Sequence, residues 1–185
     1  MEANEWWLIG GRSGLEYTII REGIYVNAFP FFLNWYPQTQ VVKLPNDGRI
    51  AWTSREELGE ATAKLMVEEK YFDRFRNQKV LFTAQEPLDC RGVAKTISEA
   101  TGKELTFEIV TLDEYAKEFA KVGKPEQLAR AWATTYDGLA KGEGELVDGL
   151  MEEVLGRRPI SASEWIKKTV GENPEYIWHQ QGSLQ

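Results

Sequence analysis

The same four-residue helix start is written three times along the chain: SREE from Ser54, TLDE from Thr111 and SASE from Ser161. In each, a hydroxyl takes the backbone N–H three residues on while the glutamate at that third position reaches back to the cap. Three helices are thereby fixed at their first turns. Glycines 102, 123, 156 and 171 follow helix-like stretches, where a left-handed residue closes the last turn. Between the helices lie short β-branched and aromatic runs, LEYTII at 15–20, RIAWT at 49–53, KVLFTA at 79–84 and LTFEIV at 105–110. Strands alternating with helices as far as about residue 120 predict an α/β fold with a small, mostly parallel sheet. After it, PEQLARAWATTYDGLAKG and GELVDGLMEEVLG predict an all-helical C-terminal part. Leu128, Ala131, Trp132, Tyr136 and Leu139 share one stripe there, which reads as packing. The turn LPNDGR at 44–49 carries Asn-Asp-Gly chemistry and predicts a hairpin between QVVKL and RIAWT.

A chain of 185 residues suits one core, so residues 1–170 are expected to form one domain. Residues 171–185, where Pro, Asn, Gln, Gly and Ser gather, are expected to form a flexible tail. No apolar run approaches the roughly 20 residues of a membrane-spanning helix, which excludes that class. The 22 basic residues are outnumbered by 29 acidic ones, for a net charge of -7, which argues against nucleic acid as a partner. A single cysteine, Cys90, forms no internal disulfide, and the reading is an inert helix residue in a reducing, cytoplasmic setting. The lone histidine, His179, leaves no His/Cys set for a metal and no well-placed base for a Ser-His-Asp triad. Seven tryptophans imply either large buried aromatic surfaces or a pocket for a flat, apolar ligand.

Near the start, WWLIGGRSGLEY imitates an apolar strand entering a glycine-rich phosphate loop through Gly10, Gly11 and Gly14. Such a loop works only when a helix comes after it, because the pyrophosphate rests on that helix's free N–H groups. Here the loop leads into LEYTIIREGIYV, a strand-like run. The reading is instead a short helix over residues 3–9, ended by Gly10 and Gly11.

Four stretches in unbroken order, SGLEYTIIREGIYVNAF, DGRIAWTSREELGEATAKLM, KVLFTAQEPLDCRGVAKTISEATGKELTFEIVTLDEYAKEF and LMEEVLGRRPISASEWI, resemble the C-terminal half of an NmrA-like atypical short-chain dehydrogenase/reductase. The nearest subtype is the NADPH-dependent quinone oxidoreductase of type 2. The resemblance covers about residues 5 to 168. It implies a truncated Rossmann-like domain whose N-terminal nucleotide-binding half, roughly 120 residues of strand-helix units, is expected to be absent. The cofactor it implies is NADP or NAD.

In this resemblance the turn after YTIIR passes along the nicotinamide and the next segment lines the substrate pocket. That places Arg21, Glu22, Gly23 and Ile24 against the cofactor, Tyr25 and Asn27 at the chemistry, and Phe29, Phe31, Phe32 and Trp35 against the substrate. Glu22 stands where the family tends to have Pro or Asn. Plainer readings stay open: Arg21 paired with a carboxylate, Tyr25 in the core, Asn27 capping the helix that begins at AFPFFLNWY, and the aromatic cluster covering an interface. Arg55 and Glu57 match the family's S-R-x-D helix start and read as structural.

The implied activity is hydride transfer to a quinone-like or other flat carbonyl or imine compound, with a partner chain for the missing half. The alternatives are a cofactor-free binding or regulatory module, a cofactor-independent isomerase or cyclase using Glu22 or Tyr25, and an inactive truncated copy. The expected partners are a small apolar planar molecule and a second chain, as a homodimer or as a cover for the exposed sheet.

Overall fold

The β-branched run Thr18-Ile19-Ile20 forms the centre of the first strand, β1 (Thr18–Glu22), in a computed structural model that describes residues 14–121, 123 and 125–178. A 3-10 turn (Val26–Ala28) and a short helix α1 (Phe29–Phe32) come next, then β2 (Val41–Leu44) and β3 (Arg49–Ile50). After these lie α2 (Arg55–Val67), α3 (Glu69–Phe75), β4 (Gln78–Phe82), β5 (Leu88–Asp89), α4 (Cys90–Thr101) and β6 (Thr106–Ile109). The remaining described elements are all helices: α5 (Leu112–Lys121), α6 (Glu126–Ala140), α7 (Leu150–Leu155) and α8 (Ala162–Glu172). The α/β class, the parallel pairing and the helical C-terminal part are therefore present. None of the described helices is long and apolar enough to cross a membrane.

The strands pair two by two rather than in one sheet. β1 runs parallel to β4, with Thr18 opposite Gln78 and Glu22 opposite Phe82. β2 runs parallel to β6, and β3 lies antiparallel to β5. The expected hairpin of QVVKL with RIAWT does not form. A two-residue hairpin turn of the favoured kind needs positive φ at its centre, and none of Asn46, Asp47 and Gly48 has it. Asp47 instead accepts from the N–H groups of Gly48 (2.8 Å) and Cys90 (2.9 Å), so its carboxylate ties the turn to the start of α4. Gly48 is bare for a different reason: a Cβ there lies 2.1 Å from the Leu139 carbonyl oxygen.

Two of the three predicted capping boxes close in both directions. Thr111 with Glu114 and Ser161 with Glu164 each exchange two bonds, the backbone N–H of the cap reaching the glutamate at 2.9 Å in both. At Ser54 only half forms. Its hydroxyl accepts from the Glu57 N–H at 3.4 Å, but the Glu57 carboxylate is taken by Arg157 and by the Ile160 N–H at 2.9 Å. Gly102, Gly123 and Gly156 have the expected positive φ. Gly171 does not end a helix, because α8 runs through it to Glu172. The packing stripe of α6 keeps Tyr136 and Leu139, with Trp132 half-buried against the core, but its first turns bury Ala129 and Ala133 and leave Leu128 and Ala131 exposed. Small alanines on that line admit the neighbouring helix more closely than Leu128 would.

Glu164 carries a prediction. Its carboxyl is lowered from the ordinary 4.5 to about 2 by the Ser161 hydroxyl and N–H and then by Arg158. A depressed value means that the cap stabilises fully above about 4.5 and is lost as pH falls toward about 2. Glu164→Gln is expected to cost about 1 kcal/mol in urea unfolding at neutral pH. At the acid end the difference should vanish, and a variant as stable as the parent at pH 7 contradicts the assignment.

Two apolar cores hold the elements. The larger joins α1, β2, β3, α4, α5, α6 and α8 around Phe29, Trp35, Trp52, Tyr115, Tyr136 and Ile166. In the smaller, one face of the β1–β4 pair packs against Leu58, Ala61 and Leu65 of α2, Tyr71 and Phe75 of α3, and Met151 and Val154 of α7. Cys90 is fully buried, and burial pushes its thiol well up, so it stays protonated and unreactive. Beyond α8, residues 173–175 and Ile177 are exposed, while Tyr176 packs against the larger core and Trp178 is 7% exposed. The short helix and the glycine pair Gly10 and Gly11 lie outside the described residues, as does His179.

Candidate functional site

Because β1 and β4 are parallel, both end on the same side, at Glu22 and Phe82. Crevices beyond such carboxyl ends are where α/β sheets bind ligands. The chain leaves β1 at Gly23, whose N–H reaches the Phe82 carbonyl at 2.9 Å. It then runs beside the segment after β3, with Thr53 N–H to Ile24 carbonyl at 2.8 Å and Val26 N–H to Thr53 carbonyl at 3.0 Å. Arg21 and Glu22 are thus the last two residues of the strand and not part of the turn, as the sequence had them. Gly23 is required by protein packing: a Cβ would meet Thr53 Oγ1 at 2.3 Å and the Ala51 carbonyl oxygen at 2.7 Å.

Beyond Gly23 three segments meet. The Tyr25 hydroxyl donates to Glu22 Oε2 at 2.7 Å, and this bond, then burial and the Glu22 charge, raises the phenol above its ordinary value. The Arg55 guanidinium lies 5.7 Å from the Tyr25 ring centre and 5.5 Å from that of Trp178. Such contacts hold a cation without using its N–H donors. Asn27 is buried and both ends of its amide are committed: Oδ1 accepts from the Arg55 N–H and Nδ2 donates to Glu56 Oε1, each at 3.2 Å. It therefore caps α2, not α1, and acts as a positioning residue. Burial alone raises the Glu56 carboxyl, but bonds from the Ser54 hydroxyl, its own N–H and Asn27, with the Arg55 charge, bring it below the ordinary value. The Tyr176 hydroxyl closes the cluster by donating to the Asn27 carbonyl at 2.8 Å, and burial pushes its phenol up to about 12.

The aromatic residues expected against the substrate are spent elsewhere. Phe29 stacks on Tyr176 and meets Trp35 at a tilt, Phe32 makes edge contacts with Trp52 and Trp132, and Phe29, Phe32 and Trp35 are buried in the larger core. Phe31, half-buried against Trp132, keeps some surface. Arg21 lies apart from Tyr25, lining a groove of about 650 Å³ with Arg74, Lys79, Asp148 and Glu153. The structure thus brings Glu22, Tyr25, Asn27 and Arg55 together and leaves Arg21 and the phenylalanines out. Sequence reasoning missed Glu56, Thr53, Tyr176 and Trp178. The last two had a signal: aromatics in an otherwise polar end, EYIW, mark a segment that docks.

No family model matches the chain. It is 40% identical over 171 residues to the NmrA-like family domain-containing oxidoreductase flvB of Aspergillus flavus, an alignment covering 91% of this chain and 54% of the relative. The chain is an NmrA-like homologue. It spans about half the length of that relative. Among solved structures it resembles the NADPH-dependent quinone oxidoreductase QOR2 of Escherichia coli, in complex with NADPH, with a TM-score of 0.73 and 21% identity. That overlay covers 88% of this chain and 56% of QOR2. The Citrobacter triphenylmethane reductase complexed with NADP(H) gives 0.71 and 23%, covering 85% of this chain and 55% of the reductase. At these identities the likeness is one of fold: this NmrA-like homologue shares the Rossmann-type α/β arrangement of both reductases.

The described residues fit only part of a dinucleotide. Beyond the carboxyl ends of β1 and β4 lie a phenol, a carboxylate and an aromatic-held cation. No glycine loop opening a helix is found among them to cradle a pyrophosphate.

Proposed function

We propose that the chain is the substrate-side half of an NAD(P)H-dependent oxidoreductase that reduces quinone-like or other flat carbonyl and imine compounds in the cytoplasm. The observation that carries this is the Tyr25–Glu22 pair at the carboxyl ends of parallel strands, in a chain 40% identical to an NmrA-like oxidoreductase. A bound nicotinamide would supply the hydride. The chain's own residues do the rest. Tyr25, a phenol raised above its ordinary value of 10 and so protonated at neutral pH, turns its hydroxyl from Glu22 Oε2 to the carbonyl oxygen or imine nitrogen and gives up the proton taken up on reduction. Glu22 holds that hydroxyl until the substrate arrives. Arg55, braced by Tyr25 and Trp178, stabilises negative charge developing on the oxygen of a carbonyl substrate. Asn27 positions Arg55 by accepting from the Arg55 backbone N–H.

The test is NADPH consumption with a naphthoquinone and with a cyclic imine, beside energy transfer from tryptophan to bound NADPH. Saturable binding and turnover are expected when a nucleotide-binding half is present. Absence of both, with that half bound, overturns the reading.

A further inference from the structure

Arg55 breaks two local rules. It is the first residue of α2, where the helix dipole disfavours a cation. Its guanidinium also has no hydrogen-bond acceptor among the described residues, although Arg74, Arg76, Arg130, Arg157 and Arg158 each spend theirs on a carboxylate. The acids nearest to it are held by other groups. Glu56 accepts from Asn27 Nδ2 at 3.2 Å and from the Ser54 hydroxyl at 2.7 Å, and Glu22 accepts from the Tyr25 hydroxyl at 2.7 Å.

What holds Arg55 is aromatic: the Tyr25 ring at 5.7 Å and the Trp178 ring at 5.5 Å. Rings attract the charge and leave the planar N–H fork open. Trp178 is buried, so packing fixes this brace, while Arg55 itself is exposed. Local rules broken without return in stability are a mark of functional sites. A planar fork suits a planar anion, since a carboxylate meets two parallel N–H groups at once. The charges of Glu22 and Glu56 close by count against a doubly charged phosphate more than against a singly charged carboxylate.

We propose that Arg55 anchors a carboxylate carried by the flat substrate, within about one ring's width of the bond that is reduced. This rests on the reading under Proposed function. Tyr25 joins the two ends: its ring lies against Arg55 and its hydroxyl gives the proton, so an anion on the fork sets the reacting atom beside that hydroxyl. A guanidinium has N–H groups enough for both tasks, two for the carboxylate and the others for charge developing on a carbonyl oxygen. Arg55 is then the residue that selects among flat compounds.

The experiment titrates the chain with 2-naphthoate and with 2-naphthamide, which share a ring system and differ in charge, and reads tryptophan fluorescence and the Arg55 Nε–H signal by NMR. Naphthoate is expected to bind about 10-fold more tightly, to shift the Arg55 signal and to lose affinity as salt rises. Arg55→Gln should abolish the preference yet unfold at the same urea concentration as the parent, because it takes a cation from the positive end of a helix. Arg55→Lys keeps the charge without the fork and should retain a preference of about 3-fold, which answers for a Gln variant that fails to fold. Arg91→Gln, which removes an exposed arginine resting on Phe107, should bind as the parent does. Equal affinity for the two compounds overturns the proposal, as does an undiminished preference in Arg55→Gln. Turnover separates the anchor from the redox reading. With a nucleotide-binding half bound, Arg55→Gln should lower kcat/KM for 1,4-naphthoquinone-2-carboxylate about 10-fold more than for 1,4-naphthoquinone. An equal loss for both removes the anchor and keeps the redox reading. Charge-selective binding without any NADPH consumption does the reverse.

Discussion

Gly23→Ala is expected to lower the unfolding free energy by about 3 kcal/mol, at the upper end of what overpacking costs. The new methyl carbon falls 2.3 Å from Thr53 Oγ1, 2.7 Å from the Ala51 carbonyl oxygen and 3.2 Å from Thr83 Cγ2. Thr53 cannot swing aside. Its hydroxyl donates to the Ala51 carbonyl at 3.0 Å and accepts from the Ala84 N–H at 3.1 Å, so moving it strands a buried donor. Nor can Gly23 retreat without breaking its bond to Phe82. Urea unfolding measures the loss. The double variant Gly23→Ala, Thr53→Ala should recover only part of it, because the Ala51 carbonyl remains. A single variant within about 0.5 kcal/mol of the parent refutes the packing argument.

The second large effect concerns chemistry. Tyr25→Phe is expected to reduce turnover of a quinone or imine roughly 100-fold with little change in KM, the low end for loss of a positioned proton donor. Stability should hardly change, since the Tyr25–Glu22 bond is exposed and such pairs contribute little. The pH profile separates a donor from a packing residue. Glu22 holds the phenol above its ordinary value of 10, so the acid form persists through neutral pH and the rate falls only on the alkaline side. By the same sign, the stability that this proton adds is present below pH 10 and fades as pH rises through the raised value. Glu22→Gln removes the main cause and should shift the alkaline fall downward. An unchanged rate in Tyr25→Phe removes Tyr25 from the mechanism.

What could be read from the sequence was local. Hydroxyl-to-glutamate spacing located three helix starts, and glycines located three ends, because those motifs close within four residues. Pairing was harder, since Asn46-Asp47-Gly48 carries the same letters whether its φ values are positive or not, and the contact that decides is with Cys90, 43 residues away. The strand at Thr18–Ile20 was legible from β-branching, but its extension to Glu22 depends on β4 lying alongside. Likewise Asn27 showed itself as a helix cap, though the helix it caps starts 28 residues on. Phe29, Phe32 and Trp35 read equally well as pocket or core, for burial is a property of what covers a residue. Tyr176 and Trp178 were assigned to a tail by the polar residues around them, and only the fold shows where they land.

That landing has a consequence for how the protein comes into being. Glu22 to Asn27 leaves the ribosome first and Ser54 to Glu56 a little later, whereas the Tyr176 hydroxyl that fastens Asn27 is made 149 residues after it. A nascent chain therefore carries an unlatched site while the 149 residues up to Tyr176 are added. Any shortened version that stops before Tyr176 stays in that condition for good.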